Sequence, residues 1–434
     1  MAEPDYSKYF LKGQGSFACT YGSPNPEDPL VQIKDNKTAV NNQQQIQALG
    51  FKTFNASYNY TIYPNNIRNL RDNNKRTLLS KKDKIGRKCE LENNEGNPFK
   101  LVTIPRGGED ISKLEVPPED IYDFFTGFIN IFDGLILLHE NHIAHLDVKP
   151  ANIVAEKNSD GSYNIRLIDF GWSRKTDTNN VGKMFYDQGV FMNYTYWAYD
   201  LRLIDLNQFN RHIGYVSTDT PETIRDLITE DIRNYNSELK YYNFPISDSK
   251  TLNPQLVYIL MKKIPQNIPT VLVKSDIFAL GLSLYNIWHR IIGYKLVSIE
   301  PVKGECRYAD TFICKIPYLK TLFEEITNNI YTLVLKMCNP DPFTRITMED
   351  AKEEFITIIE AIPKKYHMIS YTFPPNNTTS QRPKERQWYM GLFNTMAGRP
   401  RKVNINEGGS RSRRKNTRRN YLKAKKTRAK PKRK

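Results

Sequence analysis

The stretch His145-Leu146-Asp147-Val148-Lys149-Pro150-Ala151-Asn152 brings a carboxylate, an ammonium and an amide into one short segment, and Asp169-Phe170-Gly171 follows it. A carboxylate can take a proton from a hydroxyl, and an ammonium can steady a phosphate. Amide and carboxylate oxygens are hard ligands suited to Mg²⁺. Together these groups meet the needs of phosphoryl transfer, which asks for an acceptor hydroxyl aimed in line and metal ions that neutralise the phosphates. In that chemistry Asp147 receives the acceptor's proton and Lys149 holds the γ-phosphate, while Asn152 and Asp169 ligate the metal. H-x-D in a turn is common and D-F-G alone arises by chance. Their combination at this separation is what sets the segment apart.

Several elements must position these residues. Residues 163–168 alternate as a strand leading into Asp169. Upstream, Ile121, Phe124, Phe125, Phe128, Ile131, Phe132, Leu135 and Leu138 fall at helical spacing and form one broad apolar face. Further helices are expected near 221–239, 274–291, 319–338 and 348–362, the last with Thr347 as its N-cap and Asp350 as an early acid. Residues 8–105 carry short aromatic and β-branched runs, at 58–63 and 99–104, separated by Asn/Lys-rich loops at 65–74 and 79–97. That pattern predicts a small sheet with one helix and long polar loops. The apolar runs 124–138 and 277–285 are too short to span a bilayer and read as buried core helices, so no membrane span is expected.

The five cysteines (Cys19, Cys89, Cys306, Cys314, Cys338) show no C-x-x-C spacing, so neither a disulfide framework nor a zinc site is expected, and a reducing compartment is the simplest home. The net charge of +16 is unevenly spread. Residues 399–434 hold 17 of the 63 Lys/Arg and one of the 47 acids, so the excess lies there and the rest of the chain is balanced. A Gly408-Gly409-Ser410 break opens the most basic part, whose composition cannot form a core. This tail is expected to be disordered, and it is a candidate for binding nucleic acid or another polyanion through counterion release. Only Tyr421 offers a stacking ring there, so base-specific reading is not expected.

From about residue 8 to 362 the sequence resembles the eukaryotic-type protein kinase superfamily. The resemblance implies an α+β, two-lobed fold, with a small β-rich N-lobe at 8–105 and a larger helical C-lobe at 106–362. An extension at 363–398 and the basic tail at 399–434 would follow. Gly13-Gln14-Gly15-Ser16-Phe17-Ala18-Cys19 resembles the Gly-rich loop over the ATP phosphates, where the absence of a Cβ lets backbone N–H groups approach. Val31-Gln32-Ile33-Lys34 resembles V-A-I-K, which assigns Lys34 to the α- and β-phosphates. Residues 101–110 resemble the hinge between the lobes. By that alignment Val102 is the gatekeeper, Thr103 to Pro105 contact adenine through the backbone, and Glu109 reaches the ribose. Residues 274–281 resemble the S-D-V-W-S-L-G start of a buried helix, in which Asp276 bonds the catalytic-loop backbone. Asp341 to Arg345 resembles D-P-x-x-R, whose Arg pairs with the acid of A-P-E. Here Ala198-Tyr199-Asp200 stands in that place, so an Arg345–Asp200 ion pair is expected. Lys149 is the residue Ser/Thr kinases carry, so the resemblance implies a protein Ser/Thr kinase using ATP and Mg²⁺ on protein substrates.

The sequence departs from the family at four places. Ala18 replaces the third Gly of the phosphate loop. Leu146 replaces the Arg before the catalytic Asp, which removes the usual partner of an activation-segment phosphate. No Glu lies between Lys34 and Glu90 to pair with Lys34, so Gln43, Gln44, Gln45 or Gln47 of a helix at 41–49, or Glu90 or Glu92, must serve. A helical insertion is expected over about 201–270. Together with the Asn-rich loops and basic tail, these features resemble kinases encoded by large nucleocytoplasmic DNA viruses. That resemblance implies an intracellular setting, in host cytoplasm or virion, or in the nucleus through the tail. The competing readings are a pseudokinase or polyanion-binding structural protein, and a small-molecule phosphotransferase, which the D-V-K-P-A-N spacing fits poorly. Nothing in the sequence fixes an oligomeric state.

Overall fold

The computed structural model describes residues 5–14, 18–25, 28–34, 66–69, 77–82, 86, 88–89, 100–104, 106–176, 194–241, 252–292, 294–295, 305–306 and 317–364. All of them lie in one compact unit spanning Met1–Ser380. It is a mixed α/β structure of small antiparallel sheets and helices, built around two separate apolar clusters.

The smaller cluster sits on a five-stranded sheet ordered β1 (Phe10–Gln14), β2 (Ala18–Gly22), β3 (Leu30–Lys34), β5 (Lys100–Ile104), β4 (Asn66–Asn69). Side chains two apart on a strand share a face, and the buried set follows that rule: Cys19 and Tyr21 on β2, Val31 and Ile33 on β3. Two expectations are corrected here. Residues 66–69 belong to a strand rather than to the Asn-rich loop, because Ile67 pairs opposite Val102 and completes the sheet edge. Cys19 and Cys89 are joined in a disulfide with Cα atoms 6.0 Å apart. A pairing across 70 residues leaves no spacing signal, which is why the cysteine pattern did not reveal it. The expected strand at 58–63 and helix at 41–49 lie outside the described residues.

The larger cluster is organised by α1 (Ile121–Glu140) and α5 (Ile268–Ile292). All eight residues of the expected α1 face are buried, with Phe125 against Trp288 at 4.8 Å and Phe132 stacked on Phe355 of α7 (Met348–Ile359) at 5.1 Å. Gly127 lets α1 approach the strand β9 (Tyr163–Leu167), since a Cβ there would meet the Tyr163 carbonyl oxygen at 2.3 Å. The helix α5 is buried almost all round from Ser275 to Tyr285, the pattern of a helix inside a core. Both helices are longer than the apolar runs suggested. They contain windows long and apolar enough to cross a membrane, with 56% and 72% of those windows buried inside the fold.

The segment expected to be a helical insertion supplies α2 (Leu206–Ile213), α3 (Pro221–Tyr241) and α4 (Pro254–Lys263). Ile228, Leu239, Val257 and Leu260 join the larger cluster, so these helices extend its core. The junction is polar: Asp231 of α3 accepts from Tyr199 at 2.8 Å, Arg202 at 2.9 Å and His212 at 3.0 Å. Burial pushes the Asp231 pKa up, but the bonds from His212, Arg202 and Tyr199 outweigh it and hold the carboxyl below its usual range. Its contribution is therefore full above the unfolded carboxyl pKa of about 4 and fades as the pH falls below it. Asp231→Ala removes the carboxylate that pairs with the buried Arg202 and should cost about 3–5 kcal/mol in denaturant unfolding at neutral pH.

Candidate active site

Residues 145–152 run from β7 (Ile143–Ala144) through a short 3₁₀ turn into β8 (Ile153–Lys157). Ser173 donates to the His145 carbonyl at 3.1 Å, the Trp197 indole to that of Leu146 at 2.7 Å, Asn152 to that of Asp147 at 2.8 Å, and Ser283 to that of Val148 at 3.3 Å. On the amide side, Asp276 of α5 accepts from the N–H groups of His145 and Leu146, both at 2.7 Å. The expected role of Asp276 is therefore what the structure has, with His139 as a further partner at 3.1 Å. Leu146 takes a left-handed backbone, φ 61°, which side-chain-bearing residues adopt only when their surroundings force it. Its side chain is buried in the larger cluster.

His145 is a structural strut. Its Nδ1 accepts from the Asp147 N–H at 3.3 Å, which leaves Nε2 to donate to the Ile168 carbonyl at 3.2 Å. Burial pushes its pKa down, in keeping with this neutral form. The ring also packs edge-on against Phe170 at 4.8 Å, so it links the two chemical loops.

Asp147 is the hub. Lys149 Nζ lies 2.9 Å from each of its carboxylate oxygens, and Asn152 Nδ2 donates to Oδ2 at 2.6 Å. The Tyr194 hydroxyl donates to Oδ1. Burial raises the Asp147 pKa above the usual carboxylate value; Lys149 opposes that, the Asp169 charge adds to it, and Tyr194 opposes it. A base so placed loses its proton only above the pH at which an exposed carboxyl would.

Asp169 is exposed, with φ 66°, and accepts from the Gly171 N–H at 3.2 Å. Asn152 turns its amide nitrogen towards Asp147, which leaves the amide oxygen on the other side of the group. One carboxylate and one amide oxygen fit Mg²⁺ in the manner of a site completed by substrate phosphates and water. Among the described residues no group of three or more His, Cys, Asp or Glu could hold a metal unaided.

The residues that the resemblance assigns to a nucleotide are described in part. The strands β1 and β2 form a hairpin with Gln14 opposite Cys19, and Gly13 and Ala18 lie on its strands. Gly15, Ser16 and Phe17, at its tip, lie outside the described residues. The pairing Ala18↔Lys34 sets Lys34 next to the mouth of that hairpin. The Lys34 side chain and its expected partners Gln43, Gln44, Gln45, Gln47, Glu90 and Glu92 are outside the described set. Val102 and Thr103 are on β5, next to β3, and Pro105 is not described. Glu109 is exposed on β6 (Glu109–Asp110), paired with Ala155 of β8. The expected Arg345–Asp200 ion pair is present at 2.5 Å, fully buried, with Arg345 also donating to the carbonyls of Asn339 and Lys274.

Two site residues escaped the sequence reading, Tyr194 and Trp197. Both lie in the segment before Ala198-Tyr199-Asp200, whose only sequence signal is aromatic density.

Residues 112–198, which include both chemical loops, match the protein kinase domain family. A 54-residue stretch, 12% of the chain, is 52% identical to the serine/threonine-protein kinase VRK1 of Caenorhabditis elegans, and it spans 8% of that protein's length. Both likenesses support a protein kinase.

Proposed function

We propose that this chain is a protein Ser/Thr kinase, moving the γ-phosphoryl group of ATP onto Ser or Thr hydroxyls of protein substrates. The observation that carries the reading is the convergence of Lys149, Asn152 and the Asp169 charge on Asp147, on a loop whose carbonyls from His145 to Val148 are each anchored by a side chain. Asp147 takes the acceptor's proton, and Lys149 steadies the γ-phosphate beside it. Lys34, the Gly13–Cys19 loop and the 102–109 hinge bind the nucleotide. Mg²⁺ held by Asn152 and Asp169 supplies charge neutralisation at the phosphates when bound.

The Asn-rich loops, Leu146 and Ala198-Tyr199-Asp200 support placing this kinase with those of large nucleocytoplasmic DNA viruses, acting inside cells. Cysteine content does not support that setting, because Cys19 and Cys89 are bonded. The basic tail fits an accessory role in holding a polyanion, since it carries the chain's whole net charge. The test is incubation with γ-labelled ATP, Mg²⁺ and basic and acidic protein substrates, followed by identification of the labelled residue. Label on Ser and Thr is expected. Label confined to Tyr would overturn the Ser/Thr assignment, and absence of transfer would favour the pseudokinase.

A further inference from the structure

The hydroxyl of Tyr194 meets the catalytic base in the way an acceptor hydroxyl must. It donates to Asp147 Oδ1, and Lys149 Nζ lies 3.1 Å from the same phenol oxygen. The other Asp147 oxygen accepts from Asn152 at 2.6 Å and from Lys149 at 2.9 Å. The ring is seated firmly: Trp197 packs edge-on against it at 5.1 Å, Tyr196 lies at 6.0 Å, and the Lys149 ammonium is 5.4 Å from its centre. Trp197 is in turn fixed by Trp172 at 5.4 Å and by its bond to the Leu146 carbonyl. A substrate Ser or Thr must offer its hydroxyl to Asp147 within reach of Lys149, and the Tyr194 phenol oxygen stands in that place.

We propose that Tyr194 is an internal occupant of the acceptor position, an autoinhibitory contact that a substrate hydroxyl must displace before transfer. The inference rests on the reading of Asp147 as the catalytic base. It makes the structure described here a substrate-excluding state, and it makes the aromatic cluster around Trp197 the seat that holds the occupant. Burial and the Asp147 charge both push the Tyr194 pKa well up, so the seated phenol keeps its proton and remains a donor. An internal competitor multiplies the apparent KM for the acceptor by one plus the ratio of occupied to open forms and leaves turnover at saturation unchanged.

Tyr194→Phe keeps the ring and its packing and deletes the competing hydroxyl. Loss of one charge-assisted hydrogen bond should lower the peptide KM by about tenfold, with kcat unchanged or higher and the KM for ATP unmoved. A fall in kcat with the peptide KM unchanged would mean that Tyr194 positions Asp147 and Lys149, and the proposal would fail. A second measurement uses the wild-type chain, so it does not depend on how the variant folds. Nitration requires the phenolate, so Tyr194 should resist tetranitromethane alone and become reactive when saturating peptide and a non-hydrolysable ATP analogue are added. Unchanged or increased protection would overturn the proposal. Asp147→Asn run in parallel separates the two readings: its inactivity with a slower Tyr194→Phe sinks only the occupant, whereas activity retained in Asp147→Asn sinks the kinase assignment beneath it.

Discussion

Asp169→Asn should lower turnover by roughly a hundredfold or more and weaken Mg²⁺-dependent ATP binding in the same step, as expected for losing a metal ligand's charge. The substitution is otherwise gentle. Asp169 is exposed and left-handed at φ 66°, a backbone conformation that Asn tolerates as well as Asp does. Its bond from the Gly171 N–H can be kept by the amide oxygen. Folding should therefore survive, and circular dichroism should show no change. A second consequence has a definite sign. The Asp169 charge helps hold the Asp147 pKa up, so removing it lets that pKa fall. The acid limb of the residual activity should then shift to lower pH than in the wild-type chain. A pH–rate profile of both proteins, with calorimetric ATP titrations with and without Mg²⁺, checks both effects.

Asp276→Ala should be the most damaging single change away from the reacting groups. Asp276 is fully buried and accepts from two backbone N–H groups and from His139. Each buried donor left unpaired costs about 1–3 kcal/mol, so the three together should cost about 3–9 kcal/mol. The damage falls on the loop that carries Asp147, because the left-handed Leu146 is held in place by those bonds. Activity should therefore be lost at temperatures where the variant is still folded. Urea unfolding gives the first quantity, and transfer assayed well below the unfolding midpoint gives the second. A variant of wild-type stability and activity would show that α5 does not position the catalytic loop.

The parts of the site that were legible in the sequence are those where a local pattern fixes a side chain's surroundings. The α1 face was readable because eight apolar residues repeat at helical spacing, and all eight are buried. Asp276 and the Arg345–Asp200 pair were readable through motif position, and both make the expected bonds. Interactions fixed by tertiary approach were not readable. Tyr194 and Asp147 are 47 residues apart, Tyr199 and Asp231 are 32 apart, and Cys19 and Cys89 are 70 apart, with no periodic or spacing signal joining any of them. Strand β4 was missed for a related reason. Its Asn-rich composition reads as a loop, and it is a strand through pairing to β5 at the sheet edge. Propensity is a weak prior wherever a neighbouring strand supplies the hydrogen bonds.

The central claim is that Asp147 is the base that receives the acceptor's proton, and it is tested most directly by single-turnover transfer from ATP to a protein substrate at saturating Mg²⁺ and nucleotide. Asn in place of Asp147 keeps the side chain's size and its bond from Asn152, but it removes the charge that takes the proton. The Asp147→Asn chain should bind ATP as the wild type does and transfer the phosphoryl group about a hundredfold more slowly or worse. Transfer at the wild-type rate by the Asp147→Asn chain would contradict the account.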